Sequence, residues 1–257
     1  VKKGRELEFF YQCQQGLSFE GQRWAGLRIE GLEINESNAR HLDGGYFEDC
    51  EFLNCKLKGW DFSLADFSGT TFNRCDLSKV CFDNIGADVL HFIECTFHKT
   101  EFNGADVSSL QIYGCIGTVD FTNALLENAF ITVSHLSGSN FGNANLSNAL
   151  IEGTLLENVI VNHGTKFYGA KLKGCDVTGI RFSAARGIEK DTMHDCLAYP
   201  FASAGMQTIC DMHEVPNDWD NWEEDTKPGA VNVSLYKGTD RSAHLYCSNA
   251  EEYRSYL

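Results

Sequence analysis

Ala65-Asp66-Phe67-Ser68-Gly69, Thr70-Thr71-Phe72-Asn73-Arg74 and Cys75-Asp76-Leu77 place a small residue, a polar residue and a bulky apolar residue in one order every five positions. Counting outward at that spacing gives Leu42, Phe47, Phe52, Leu57, Phe62, Phe67, Phe72, Leu77 and Phe82, then Phe92, Phe97, Phe102, Val107 and Ile112. A helix repeats its apolar face about every 3.6 residues and a strand every two, so a strict five fits neither. A short internal repeat of this kind points to a solenoid.

In a square parallel β-helix each five-residue unit forms one side, and four units form one coil. The Phe or Leu and the small residue two before it then face inward, and together they fill the cross-section as close packing requires. A second block keeps the period with a shift of one: Phe121, Leu126, Ile131, Leu136, Phe141, Leu146, Ile151, Leu156 and Val161. A lost residue near Ile116-Gly117 accounts for the shift. The first register returns at Phe167, Leu172, Val177 and Phe182, so an extra residue is expected near Asn162-His163-Gly164. Such breaks read first as corner bulges and second as loops re-aimed toward a partner.

The units Ala65-Asp66-Phe67, Ala105-Asp106-Val107, Ala144-Asn145-Leu146 and Cys175-Asp176-Val177 resemble the pentapeptide-repeat family, whose pattern is Ala-(Asp/Asn)-Leu-x-x. The resemblance is strong from Leu42 to Ala185 and weak from Leu27 to Glu36. It implies an all-β fold, a right-handed quadrilateral parallel β-helix. At about 4.8 Å per coil, seven or eight coils would make a rod of roughly 35 Å.

Three divisions follow: a cap over 1–26, the β-helix over 27–187, and a non-repeat segment over 188–257. The first holds an apolar cluster, Leu7, Phe9, Phe10 and Tyr11, suited to covering the open end of a solenoid. The last is expected to be a small α/β appendage, with a helix over Asp191 to Ala204 capped by Asp191 and a strand over Val231 to Tyr236.

The chain has 257 residues and can bury a sizeable core. It starts at Val1 rather than Met, so the lack of a signal peptide is uninformative. No run approaches the roughly 18 to 20 apolar residues that span a bilayer as a helix. Of eleven cysteines, Cys50, Cys55, Cys75, Cys95, Cys115 and Cys175 fall in or near the small inward slot, where a thiol serves as a small hydrophobe. Cys55, Cys75, Cys95 and Cys115 should stack as a ladder at the twenty-residue coil period. Cysteines used this way favour a reducing compartment, the bacterial cytoplasm or, for a secreted effector, the host cytosol.

The net charge of −15 divides unevenly. Residues 1–40 carry six acids and six bases, residues 41–187 seventeen and ten, residues 188–257 thirteen and five. Asp61, Asp66, Asp76 and Asp106 stand where the family motif itself puts Asp or Asn. A basic surface for DNA or RNA is absent from the sequence, so direct nucleic-acid binding is not expected, nor is a membrane.

Candidate chemistry is sparse. His194, Cys196, Cys210 and His213 are a ligand set zinc would accept, yet their spacing matches no common structural zinc pattern, so ordinary packing and surface positions are expected. Cys247 with His244 suggests a thiol and base, but proximity in sequence is weak evidence for such a pair. Leu235 to Thr239 resembles faintly the Tyr-Arg-Gly strand of ADP-ribosyltransferases, with Lys in place of Arg. No catalytic residue, metal or cofactor is therefore assigned.

The function expected is that of a non-enzymatic scaffold presenting an acidic rod to a protein partner with a basic surface. The resemblance adds two alternatives. One is a DNA mimic that binds DNA gyrase, as the quinolone-resistance members of the family do. The other is the substrate-recognition β-helix of a secreted bacterial effector such as a HECT-like ubiquitin ligase, whose large catalytic region is not in this chain. Binding residues would be Glu48, Glu51, Glu94 and Glu127 on the rod, with Asp218, Trp219, Asp220, Trp222, Glu223 and Glu224 as a second docking surface anchored by the aromatics. Oligomeric state is open.

Overall fold

A chain that turns a corner every five residues needs a backbone conformation that most side chains resist. The computed structural model describes residues 2–33, 43–189, 192–194, 196–198 and 231–232. In it the residue two places after a central Phe or Leu adopts left-handed backbone, as at Asn54 (φ 51°), Asn84 (φ 55°), Asn123 (φ 61°) and Gly69 (φ 74°). Asn and Gly reach this region at low cost, which is why they recur there.

Four walls result. The first is a ladder of parallel bridges through Arg23, Tyr46, Asp66, Gly86, Asp106, Leu125, Asn145, Lys166 and Arg186, nine rungs that enclose eight coils. The second is a nine-stranded parallel sheet of β1 (Arg28–Glu30), β2 (Glu51–Leu53), β3 (Thr71–Asn73), β4 (His91–Ile93), β6 (Gln111–Tyr113), β8 (Phe130–Thr132), β9 (Leu150–Glu152), β10 (Lys171–Lys173) and β11 (Met193–His194). The third runs through Glu33, Lys56, Asp76, Thr96, Ile116, His135, Leu155 and Asp176, and the fourth through Asp61, Cys81, Glu101, Asp120, Asn140 and Ile160. Strands β5 (Thr96–Glu101) and β7 (Ile116–Asp120) join third wall to fourth.

The interior is a set of stacked columns. Phe52, Phe72 and Phe92 lie in register on the second wall, with ring centroids 4.7 Å and 5.2 Å apart and nearly parallel planes. Phe62, Phe82 and Phe102 repeat this on the fourth wall at 5.4 Å and 4.7 Å. All six are fully buried. Each contributes about 1.5–3 kcal/mol through burial, with about 0.5–1.5 kcal/mol more per ring pair.

Small polar residues in the other inward slot are satisfied by the coils above and below. The hydroxyls of Thr70, Thr100 and Thr165 donate to the carbonyls of Phe47, Leu77 and Phe141. The Cys50 N–H donates to Thr70 Oγ1 at 3.1 Å and the Val119 N–H to Ser139 Oγ at 3.0 Å. The expected ladder Cys55, Cys75, Cys95 and Cys115 is present as buried free thiols. Each thiol also donates to a carbonyl of the preceding coil, at 3.5 Å from Cys55 to Ile29 and 3.4 Å from Cys75 to Phe52. The Cys55 thiol is pushed well up, first by its hydrogen bond with Cys75 and then by burial. These sulfurs are packing groups.

Both breaks in the period fall where the sequence places them. Phe97 pairs with Gly117 and His98 with Thr118, but Thr100 pairs with Val119, so the later coil is one residue shorter beside Lys99. Further along, Asn140 pairs with Ile160 but Asn145 with Lys166, which puts the extra residue between Ile160 and Lys166. Asn162 Oδ1 repairs the gap by accepting from the N–H groups of Asn143 (3.0 Å) and Gly164 (2.9 Å). Both breaks are corner adjustments within the wall.

The N-terminal end is closed by α1 (Lys2–Gln15). Gly16 ends it in left-handed backbone (φ 61°), with the Leu17 N–H donating to Gln12 O at 3.1 Å and the Gly16 N–H to Cys13 O at 3.2 Å. This is the Schellman arrangement that satisfies terminal carbonyls. Of the apolar cluster, Phe9 is fully buried, its ring 5.3 Å from Phe19 and 5.5 Å from Trp24, while Leu7 and Tyr11 are exposed. Phe19, Trp24 and Leu27 already belong to the core, and Arg23 is the first rung of the first wall.

At the other end the expected helix over Asp191 to Ala204 is corrected. Met193–His194 is strand β11, pairing with β10, and Cys196 is buried with its thiol donating to Leu172 O at 3.5 Å. The repeat therefore continues past Gly187 for part of another coil. Leu197–Ala198 (β12) then pairs antiparallel with Val231–Asn232 (β13), the start of the strand expected there. The rest of the expected α/β appendage lies outside the described residues. Among the described residues no helix is long and apolar enough to cross a membrane.

Candidate functional site

Because side chains alternate in and out along each wall, the solvent face of every coil is set by three residues in five. Sorting the units by wall shows a charge separation around the rod. Between Tyr46 and Ala129 the first wall consists of residues 46–50, 66–70, 86–90, 106–110 and 125–129. The fourth consists of residues 61–65, 81–85, 101–105 and 120–124. These nine units contain ten carboxylates and neither Lys nor Arg. The acids are Glu48, Asp49, Asp66, Asp88, Asp106 and Glu127 on the first wall, with Asp61, Asp83, Glu101 and Asp120 on the fourth. The two walls share a corner and form one continuous acidic half.

The same coils on the other half are different. Residues 51–60, 71–80, 91–100 and 111–119 hold three acids, Glu51, Asp76 and Glu94, against five bases, Lys56, Lys58, Arg74, Lys79 and Lys99. Ion pairs are also concentrated there. Arg28 meets Glu51 at 2.8 Å, Arg74 meets Glu94 at 2.6 Å and Lys56 meets Glu33 at 3.0 Å.

Several carboxylates on the acidic half serve the fold as well. Asp61, Asp66 and Asp120 accept the N–H of the residue two places on, at 3.0, 2.9 and 3.0 Å, closing the corner. Asp83 accepts from the Asn103 N–H at 2.8 Å. Asp49, Asp88, Glu101 and Asp106 are exposed. The Glu101 carboxyl is raised above its ordinary value, first by partial burial and then by the negative charges of Asp83 and Asp120. Cys81 stands between them, its donor atom within 4.8 Å of those of Asp83 and Glu101. Burial first, with the neighbouring acids, pushes its thiol up to about 11.

The four rod residues singled out from the sequence divide between the halves. Glu48, on the first wall, pairs with Arg23. Glu127, on the same wall, accepts from Asn145 Nδ2. Glu51 and Glu94 belong to the second wall, each engaged by the arginine named above. Asp218, Trp219, Asp220, Trp222, Glu223 and Glu224 lie outside the described residues. Of the zinc-like set, Cys196 is packed in the core, His194 is on β11, and Cys210 and His213 lie outside the described residues. Asp49, Asp83, Asp88, Glu101 and Asp120 were not singled out for binding, and the signal that finds them is the wall each unit falls on.

A family model described as pentapeptide repeats matches the chain in eight copies, over residues 46–84 and 119–158. No curated protein sequence matches it. Among solved structures, the chain is similar to QnrB1, a plasmid-mediated fluoroquinolone resistance protein, at 20% identity and a TM-score of 0.28, covering 73% of this chain and 97% of that one. HetL, a pentapeptide repeat protein involved in heterocyst differentiation regulation from the cyanobacterium Nostoc sp. strain PCC 7120, matches at 15% identity and a TM-score of 0.23, over 62% of this chain and 87% of that one. Rfr23 from the cyanobacterium Cyanothece 51142 matches at 16% identity and a TM-score of 0.21, over 74% and 93%.

Proposed function

Because the chain carries pentapeptide repeats, with its side chains either packed inside the coil or laid out on four walls, we propose that it is a non-enzymatic scaffold whose acidic half docks a protein partner with a basic surface. The observation that carries this is the run of nine units on the first and fourth walls with ten carboxylates and no Lys or Arg. A surface of one sign steers an oppositely charged partner and fixes its orientation. Confinement of the acids to two adjacent walls favours contact from one side. A mimic of duplex DNA would need carboxylates distributed around the rod, whereas the second and third walls of the same coils carry more bases than acids.

The test is affinity capture from bacterial and eukaryotic lysates with the full chain and with a variant carrying Asp49→Asn, Asp88→Asn, Glu101→Gln and Asp106→Asn. Asn suits the left-handed backbone of Asp49 (φ 52°), so the fold should persist. Basic proteins recovered by the wild type, lost from the variant and released by raising salt several-fold support the proposal, since contacts between exposed charges are screened within about 10 Å at 0.1 M salt. Equal recovery by both proteins contradicts it.

A further inference from the structure

The first wall changes sign along its length. From the third rung to the ninth its ladder reads Asp66, Gly86, Asp106, Leu125, Asn145, Lys166 and Arg186. This column faces outward: Gly86, Asp106, Leu125, Lys166 and Arg186 are exposed, and Asp66 and Asn145 are half-buried. Adjacent strands of a sheet lie about 4.8 Å apart, so the column is a strip roughly 29 Å long with acids toward one end and bases at the other.

The basic end is not explained by the coil. Lys166 and Arg186 are neighbouring rungs, and like charges side by side on a sheet oppose each other. Among the described residues neither forms an ion pair. They belong to a wider cationic end of the rod, since residues 161–187 hold Lys166, Lys171, Lys173, Arg181 and Arg186, and the one acid there, Asp176, is buried.

Read in both directions, the column is its own complement. A twofold axis through Leu125, perpendicular to the wall, sets Asp66 opposite Arg186 of a second copy and Asp106 opposite Asn145. Gly86, with the exposed Asp88 two residues on, then faces Lys166. Leu125 is 41% exposed and meets its own equivalent, an apolar contact at the centre of a charged strip. A parallel alignment in the same register would set acid against acid and base against base. One surface that serves both partners is what an isologous interface requires.

We propose that a second copy of this chain docks antiparallel against the first wall, its Lys166 and Arg186 reaching Asp88 and Asp66. The inference rests on the reading that the acidic half docks a basic surface, and it names that surface. A strip about 29 Å by 16 Å covers roughly 450 Å² per copy, a little over half of a standard interface, so the dimer is reversible and concentration-dependent.

Sedimentation velocity of the full chain over a concentration series tests this, at about 0.1 M salt, where charges more than about 10 Å apart are largely screened and contacting pairs still act. The wild type should pass from monomer to dimer and stop there. Lys166→Glu/Arg186→Glu and Asp66→Lys/Asp88→Lys should each dimerise at least tenfold more weakly, and mixing the two variants should restore a dimer, because the exchanged charges face each other again. Lys166 shows that the rung position of Asp66 accepts Lys, and the other three side chains are exposed, so both variants should retain the β-helix circular dichroism spectrum. A wild type that stays monomeric, assemblies that grow beyond the dimer, variants that dimerise like the wild type, or a mixture that stays monomeric would each overturn the proposal. A monomeric wild type that still captures basic proteins, with capture lost on neutralising Asp49, Asp88, Glu101 and Asp106, would remove this inference and leave the acidic-half reading standing.

Discussion

Gly117 stands directly over Phe97, so close that an added Cβ would lie 1.2 Å from the Phe97 carbonyl oxygen. Its φ of 123° is also closed to other residues. This is the point where the coil drops a residue, and the missing side chain lets the shortened coil settle on its neighbour. Gly117→Ala should cost about 3 kcal/mol or more, combining a backbone clash with strain. Gly138, with left-handed backbone but nothing nearer than Thr118 Cγ2 at 3.9 Å, is the control. Gly138→Ala should cost about 1 kcal/mol. Urea denaturation of the two variants measures the difference.

Asn162 acts at the opposite defect, where the coil gains a residue. Its Oδ1 stands in for a carbonyl of the ladder toward the N–H groups of Asn143 and Gly164. Asn162→Ala leaves these donors without that acceptor and should destabilise by about 1–3 kcal/mol. Asn162→Asp keeps the acceptor and should recover most of the loss in the same denaturation experiment.

Crowding of acids on the fourth wall should show in the pH dependence of stability. With its carboxyl raised by partial burial and by Asp83 and Asp120, Glu101 holds a proton more tightly in the folded chain than in the unfolded one. Its ionisation therefore costs stability as pH rises from the ordinary carboxylate value through the raised one, and the cost is absent below both. Glu101→Gln should melt above the wild type near pH 7 and equal to it near pH 4. Thermal melts at the two pH values check the sign.

Val133 is strained where its neighbours on the same ladder of corners, Gly114 and Gly153, are relaxed. Val133→Asn should raise stability by about 1 kcal/mol by removing a β-branched side chain from left-handed backbone. Urea denaturation of the variant beside the wild type measures the gain, and an unchanged or lower midpoint would contradict it.

The fold was legible because one signal recurs in nearly every unit. Phe47 through Ile112 and Phe121 through Phe182 occupy the inward slot as counted, and the two phase shifts located the short coil at Gly117 and the long one at Asn162. The same counting fails after Gly187. Met193 and Cys196 continue the stack over Leu172 and Cys175, but their twenty-one-residue offset hides them, and Asp191 resembles a helix cap when read alone.

The binding surface was harder to see because charge was summed along the chain. The repeat distributes consecutive units to four different walls, so Lys79 and Cys81 are two residues apart yet belong to different sides of the rod. Arg28 and Glu51 are also separated by twenty-three residues instead of twenty, which conceals the ion pair that occupies Glu51, whereas Arg74 and Glu94 keep the twenty-residue period. Sorting the acids by wall would have selected Asp49, Asp88, Glu101 and Asp106 from the sequence.

The central claim is that a basic partner approaches the first and fourth walls. Its most direct test places a photo-crosslinking amino acid, one at a time, at exposed positions of each wall, with Asp88 and Asn84 for the acidic half and Asn54 and Thr96 for the other. A partner recovered by affinity capture is then irradiated with each protein, and the crosslinked yield is compared. Crosslinks from positions 88 and 84, with none above background from 54 and 96, are the predicted result. Equal or greater yield from positions 54 and 96 would contradict the account.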